Sequence, residues 1–172
     1  MNSLNNSSDM NSNNLWWSPE GTIVRSRIAK PVFKHNAEFA ECNLELSQDV
    51  GNTFINAMHD YICNIFDDLK NNPSNSNDHI LKFPYDIVDE KYIFLFDSCT
   101  NCRINGNDYV QDIIVTNSVG HTVDSYINNG SKAKIKFSIV PYRYRSYFGV
   151  YLKLIAVNIL NDNKHDFIMI ES

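Results

Sequence analysis

The chain has 172 residues, 43% hydrophobic and 20% charged, with a formal net charge of −5. No apolar run approaches the ~20 residues a membrane helix needs, and one domain of this length buries roughly 70% of its unfolded surface, so neither metal nor disulfide is required for a core. Cys42, Cys63, Cys99 and Cys102 occur without the charged and apolar regions of a signal peptide, which fits free thiols in an intracellular, reducing setting rather than secretion.

Residues 1–14 (MNSLNNSSDMNSNN) lack any hydrophobic period and are expected to be disordered, leaving 15–172 as a single domain. Leu15, Trp16 and Trp17 form an abrupt apolar cluster, read either as a core or edge plug or as a stacking or partner surface. Residues 21–30 (GTIVRSRIAK) alternate as a strand ended by Pro31, with Ile23, Arg25, Arg27 and Ala29 on one face and Thr22, Val24, Ser26 and Ile28 on the other. Residues 37–46 form a second strand with Ala40, Cys42, Leu44 and Leu46 inward and Glu41, Asn43 and Glu45 outward.

Phe54, Met58, Tyr61, Ile62, Ile65, Phe66 and Leu69 recur at helical spacing and predict a helix over 50–70, with Ser47 or Asp49 as N-cap. His59 and Cys63 lie one turn apart on it, but two ligands without partners read as structural. The polar stretch 71–79 ends the helix. Residues 92–98 (YIFLFDS) read as a strand, Asn105-Gly106 as a hairpin turn, 110–116 as the returning strand and 117–121 as another turn. Cys99 and Cys102 lack a second pair and do not open a helix, so neither a zinc ribbon nor a thioredoxin-type site is expected.

The stretch 130–160 is the most informative. Lys132, Lys134, Lys136 and Ser138 project to one side while Ala133, Ile135, Phe137 and Ile139 project to the other. Pro141 is expected to interrupt the ladder; Tyr142, Arg143, Tyr144 and Arg145 then alternate, Tyr147-Phe148-Gly149 turn the chain, and Leu152 and Leu154 enter a last hydrophobic strand that carries Lys153 and ends near Leu160.

The negative total hides a segregation of charge. Residues 21–36 carry Arg25, Arg27, Lys30 and Lys34 and no acid; residues 125–161 carry Lys132, Lys134, Lys136, Arg143, Arg145 and Lys153 and no acid; residues 37–124 carry a net charge of −11. A local basic stripe governs polyanion binding more than net charge does. Three lysines on one strand face repel one another unless an anion sits there, and tyrosines beside them offer faces on which unpaired bases stack.

The catalytic inventory is poor. The sequence has no phosphate-binding glycine loop, no Gly-x-Ser-x-Gly elbow and no His-Glu-x-x-His run; Asp86, Asp89 and Glu90 read as exposed turn residues, and His35, His79, His121 and His165 sit in unrelated polar contexts. No enzyme activity, cofactor or metal is expected. Five strands with one helix inserted after the second predict an all-β class and a small closed five-stranded barrel of OB type. Twenty-four asparagines, crowded at 1–14 and 71–77, point to an AT-rich coding sequence.

GSKAKIKFSIVPYRYRSYFGVYLKL resembles the single-stranded DNA-binding proteins of replicating short-tailed phages and their viral relatives, with Val140, Pro141, Tyr142, Arg143, Tyr144 and Gly149 in the family's order. Gly21, Thr22, Ile28, Ala29, Lys30 and Pro31 resemble the family's opening strand. The resemblance spans roughly 21–160. It implies an OB fold that coats single-stranded DNA during replication and recombination in a viral replication compartment or the host cytoplasm, promotes annealing, and meets replication proteins such as polymerase and helicase-primase. By position it makes Tyr142 and Tyr144 base-stacking residues and Arg25, Arg27, Lys30, Lys132, Lys134, Lys136, Arg143 and Arg145 backbone contacts; Tyr147 and Lys153 join the same basic, aromatic surface.

One departure stands out. Family members end in a long acidic tail closed by an aromatic residue, whereas this sequence ends NDNKHDFIMIES, with Asp162, Asp166 and Glu171 as its acids. Tail-borne recruitment and autoinhibition are not expected of these residues, or depend on a tail beyond them. The FIMI run reads instead as an edge strand or a homodimer contact. Two other readings stay open: an OB module that docks protein through Trp16, Trp17 and FIMI, and binding of single-stranded RNA.

Overall fold

In the computed structural model, which describes residues 14–65, 81–144 and 147–163, the elements run β1 (Trp16–Trp17), β2 (Gly21–Lys34), β3 (Ala37–Leu46), α1 (Gln48–Ile65), β4 (Leu81–Lys82), β5 (Tyr85–Val88), β6 (Lys91–Ile104), β7 (Asn107–Val110), β8 (Ile114–Thr116), β9 (Lys132–Tyr144) and β10 (Tyr147–Asn161). Five strands close a ring in the order β2, β3, β6, β10, β9 and back to β2. The β6–β10 contact is parallel, and the other four ring contacts are antiparallel. The expected all-β barrel with one helix after its second long strand is what the chain forms.

Period-two alternation builds the interior. Ala40, Cys42 and Leu44 on β3, Phe94 and Phe96 on β6, Ala133, Ile135 and Phe137 on β9, and Leu152 and Leu154 on β10 are all fully buried. Helix α1 starts where the Ser47 hydroxyl accepts the Val50 N–H (3.4 Å) and the Ser47 carbonyl accepts the Gly51 N–H (2.8 Å), which makes Ser47 the N-cap. Its Phe54, Met58 and Ile62 plug the barrel, and the Phe54 ring meets Phe94 at 5.1 Å and Phe137 at 5.7 Å, both edge-on. The predicted helix continuation through Phe66 and Leu69, the polar break at 71–79, residues 1–13 and the FIMI segment lie outside the described residues.

Several boundaries differ from the sequence reading, each for a backbone reason. β2 carries a register shift between Ile23 and Arg25, so Val24 is an extra residue and the facing parity reverses there. Strict alternation placed Ile23 beside Arg25 and Arg27; in the structure Ile23 is fully buried while both arginines are exposed. Pro31 does not end this strand. Pairing jumps from Arg27↔Glu41 to Val32↔Phe39, so residues 28–31 loop out against Ala40 and Pro31 sits where no ladder N–H is required.

Pro141 does not interrupt β9 either. The Ile139 N–H and C=O point to the edge away from β10, where the Asn14 amide accepts one and donates to the other (both 3.1 Å). Two residues on, Pro141 turns its nitrogen to that same edge, while facing Val150 of β10. Asn14 is therefore part of the fold rather than of the expected disordered tail. Tyr147, Phe148 and Gly149 do not form the turn; they open β10, opposite Tyr144, Arg143 and Tyr142.

The predicted strand at 92–98 extends over the whole of β6, and the Asn105-Gly106 turn forms with both residues at positive φ (53° and 80°). The predicted strand at 110–116 divides: β7 pairs with β6, whereas β8 crosses to pair in parallel with β10 at Ala156–Asn158. The turn at 117–121 forms, with the Asn117 N–H donating to the His121 carbonyl (2.9 Å).

Closure of the ring rests on a short contact, Gly21↔Ala133 and Thr22↔Lys132. A Cβ on Gly21 would stand 2.7 Å from the Glu45 carbonyl oxygen, 2.7 Å from Leu44 Cγ and 2.8 Å from Leu46 Cδ2. Any side chain there pushes β2 away from β3 where it must also reach β9. Gly21→Ala is expected to destabilise the protein by about 1–3 kcal/mol in urea unfolding, the cost of overpacking a tight site; an unfolding midpoint equal to the parent's would refute the closure argument.

Candidate nucleic-acid interface

Residue parity on β9 puts Lys132, Lys134 and Lys136 on the outer surface of the barrel, the first two exposed and the third half-buried. Their facing positions on β10 are Asn161, Asn158 and Ala156, none charged. Further along the same hairpin Lys153 faces Ser138, Tyr151 faces Val140 and Tyr142 faces Gly149. Tyr142 and Tyr151 are 40% and 38% exposed. The Tyr142 ring occupies the space a Cβ on Gly149 would fill, with Cε1 2.8 Å from that point. Glycine is required at this position because a tyrosine lies flat across it.

Trp17 adds a second aromatic face. It pairs with Lys136 across β1 and β9, is 50% exposed, and carries the Lys136 Nζ 6.0 Å from its ring centroid. Trp16 turns the other way, against Tyr61 (5.2 Å) and Phe137 (6.4 Å). The apolar cluster thus splits into one plug and one surface residue. Trp17, Lys134 and the Val50, Phe54 and Ala57 side of α1 border an open groove of about 640 Å³.

The remaining cations of β2 gather elsewhere. Arg25, Arg27 and Lys30 line a groove of about 350 Å³ with Tyr126, which belongs to the segment before β9. None of the three makes an ion pair or hydrogen bond among the described residues, and the carboxylates of the neighbouring strand are engaged otherwise: Glu41 by Lys34 (2.8 Å) and Glu45 by Lys91 (3.3 Å). The two basic regions meet at the closing seam, where the Lys132 ammonium donates to the Thr22 hydroxyl (2.5 Å).

Acids stand between the basic residues of neighbouring strands: Glu41 faces Arg27 of β2, and Asp97 faces Lys153 of β10. Glu41 of β3 faces Asp97 of β6, and burial holds the Asp97 carboxyl above its ordinary range, with Glu41 adding to the shift and Lys34 opposing it. Burial, then the Asp97 charge, pushes the Tyr151 phenol up as well, which keeps it neutral at physiological pH. Burial also raises the Cys42 thiol to about 12 and the Cys99 thiol to about 11, the latter helped by contact with Cys102. Among the described residues no three His, Cys, Asp or Glu side chains gather as a metal site, and His59 and Cys63 contact only each other's side chains (3.6 Å).

Of the sequence-derived site residues, Arg25, Arg27, Lys30, Lys132, Lys134, Lys136, Tyr142 and Lys153 are thus placed on two adjoining surfaces. The backbone of Arg143, Tyr144 and Tyr147 continues the β9–β10 hairpin; their side chains, and all of Arg145, lie outside the described residues. Sequence reasoning missed Tyr126 and Tyr151. The second was legible, because Leu152 and Leu154 pointing inward fix Tyr151 as outward; the first carried only the signal of a lone aromatic in a polar loop.

No protein-family model matches the sequence, and no curated protein matches it. The structure is similar to that of the single-stranded DNA-binding protein encoded by bacteriophage T7, at 20% identity and a TM-score of 0.65 over 92% of this chain and 97% of that one. It is also similar to the single-stranded DNA-binding protein from bacteriophage Enc34, solved in complex with single-stranded DNA, at 10% identity and a TM-score of 0.63 over 89% of each chain. These likenesses establish the fold as the five-stranded OB barrel that the strand order describes.

The raised Asp97 carboxyl has a measurable consequence. A folded-state value above the unfolded one contributes stability that is complete below the unfolded pKa and is lost as pH rises through the folded one. At neutral pH Asp97 is therefore held ionised at a cost. Asp97→Asn is expected to raise the urea midpoint at pH 7 and to flatten its decline from acidic to neutral pH; a lower midpoint at pH 7 would contradict this.

Proposed function

We propose that this chain is a non-enzymatic, sequence-tolerant single-stranded DNA-binding protein. The carrying observation is the outward row Lys132, Lys134 and Lys136, faced on β10 by no charged residue, with Trp17 beside Lys136 and Tyr142 and Tyr151 further along the same hairpin. Three ammonium groups on one strand, without carboxylates opposite, suit a polyanion's backbone. Half-exposed rings beside them suit bases whose faces are free, which selects single strands over duplex because paired bases are already stacked.

The solved relatives, one of them a single-stranded DNA complex, support the same reading. Coating of transient strands during viral replication and recombination, annealing of complementary strands, self-association as a homodimer and contacts with replication proteins such as polymerase or helicase-primase extend it, in an intracellular setting. The Trp17 groove favours a second reading, an OB module that docks protein there. Size-exclusion with and without oligonucleotide separates the two, since protein docking predicts assembly independent of nucleic acid. Matched DNA and RNA oligonucleotides test the choice of sugar.

Titration with a homopyrimidine oligonucleotide at two salt concentrations is the direct test. Binding should weaken with salt by a log–log slope of about −0.7 per phosphate neutralised on a single strand, and Lys134→Ala should make the slope shallower by about 0.7. Tyr142→Ala should cost ~1–3 kcal/mol of affinity with the slope unchanged. Equal affinity for duplex, or no binding at low salt, would overturn the proposal.

A further inference from the structure

The groove bordered by Arg25, Arg27 and Lys30 differs from the lysine row. It is enclosed on its far side by residues 125–129, and that wall is built firmly. The Gly130 N–H donates to the Ile23 carbonyl (2.7 Å), the Ile23 N–H donates to the Ser131 carbonyl (2.8 Å), and the Asn163 amide donates to the Asn129 carbonyl (2.9 Å). Asp162 accepts from both Asn128 and Ser131 (3.1 Å each), which ties the start of β9 to the end of β10. Tyr126, carried on this wall, is 60% exposed.

Two features mark the groove as built for a ligand rather than left as surface. Its three cations are unpaired among the described residues although acidic strands lie next to them in the ring. The Tyr126 ring, carried on the opposite wall of the same groove, is 60% exposed and presents an aromatic face beside those cations. The volume of about 350 Å³ falls at the small end of the ~300–1,000 Å³ typical of ligand sites, space for one aromatic ring system with its substituents and not for a run of bases.

We infer that this groove holds a single nucleotide of the bound strand, with its base against Tyr126 and its phosphates on Arg25, Arg27 and Lys30. The inference rests on the single-strand reading above and adds to it a discrete anchoring site. Guanidinium groups fork onto phosphate oxygens, whereas the lysines of β9 act as point charges along a backbone. The Val24 bulge is what makes this possible: without it, Arg25 and Arg27 would point the same way as Ile23. The lysine row tracks a strand, and the groove fixes one residue of it.

The test uses the full chain, isotopically labelled, titrated with the 5′-phosphorylated thymidine dinucleotide and followed by amide chemical shifts. Shifts are expected at 25–27 and 125–129. Tyr126→Ala should weaken dinucleotide binding by about 5- to 150-fold, the loss of one base stack, and Tyr126→Phe should restore it. The salt slope for a twenty-nucleotide homopyrimidine should be unchanged in Tyr126→Ala. If that variant binds the dinucleotide as the parent does while the long oligonucleotide still binds, the inference is overturned and the single-strand reading stands. Inorganic phosphate producing the same shifts at the same concentration would reveal an anion site without a base and also overturn it. If neither oligonucleotide binds the parent protein, the single-strand reading fails, and the groove with it.

Discussion

Gly21 is the narrowest constraint in the barrel. It is buried at the point where β2 leaves β3 and reaches β9, and the Glu45 carbonyl with the Leu44 and Leu46 side chains stands where its Cβ would be. The β6–β10 contact is equally short, Leu152↔Phe96 and Lys153↔Asp97, while the other three ring contacts are longer ladders; β9 and β10 pair from Lys132 to Tyr144. The closing seam also sets the surface. It brings Thr22 against Lys132, and so joins two basic segments that are far apart in the sequence. Loss of close backbone approach at Gly21 would therefore open the core and separate the two cationic surfaces together.

Ring order then sorts charge. β3 and β6 are neighbours, and their outward positions hold Glu41 and Asp97 in direct cross-strand contact. β9 stands between β2 and β10, whose facing positions to its lysines are neutral. In a chain whose formal net charge is −5, the β9 lysines are therefore a row without facing carboxylates, whereas Arg27 and Lys153 face Glu41 and Asp97. Burial raises the Asp97 carboxyl; Lys34 opposes the shift and the neighbouring Glu41 adds to it.

Much of this was legible in the sequence because the relevant periods are strict. Alternation from Lys132 to Ile139 gave the lysine face without error, the three- and four-residue spacing of Phe54, Met58 and Ile62 gave the helix, and Asn105-Gly106 gave its turn. The failures cluster where the backbone breaks its own period. One extra residue at Val24 reverses facing, and no property of valine announces it. Pro31 and Pro141 read as breakers, yet each occupies a position that needs no N–H donor, one in a looped-out stretch and one on an edge beyond the reach of β1. Proline rules apply to central ladders, and a sequence does not say which edge is covered. Gly149 read as a turn residue for the same reason; its absent side chain serves Tyr142 on the opposite strand.

The Val24 bulge also separates two kinds of recognition on one barrel. Where alternation is kept, as on β9, cations emerge at every second residue and form a regular row that cannot distinguish one register of a sugar–phosphate chain from another. Where it is broken, β2 parts from β9 after Thr22, its edge is left to the 125–131 segment, and the arginines face an enclosed space with a single ring. On the proposed single-strand reading, such a row permits a strand to slide, while the groove with its one ring and three cations gives it one position of lower energy. On that reading the row supplies sequence tolerance and the small groove limits anchoring to one nucleotide, since each further anchored base would add a preference.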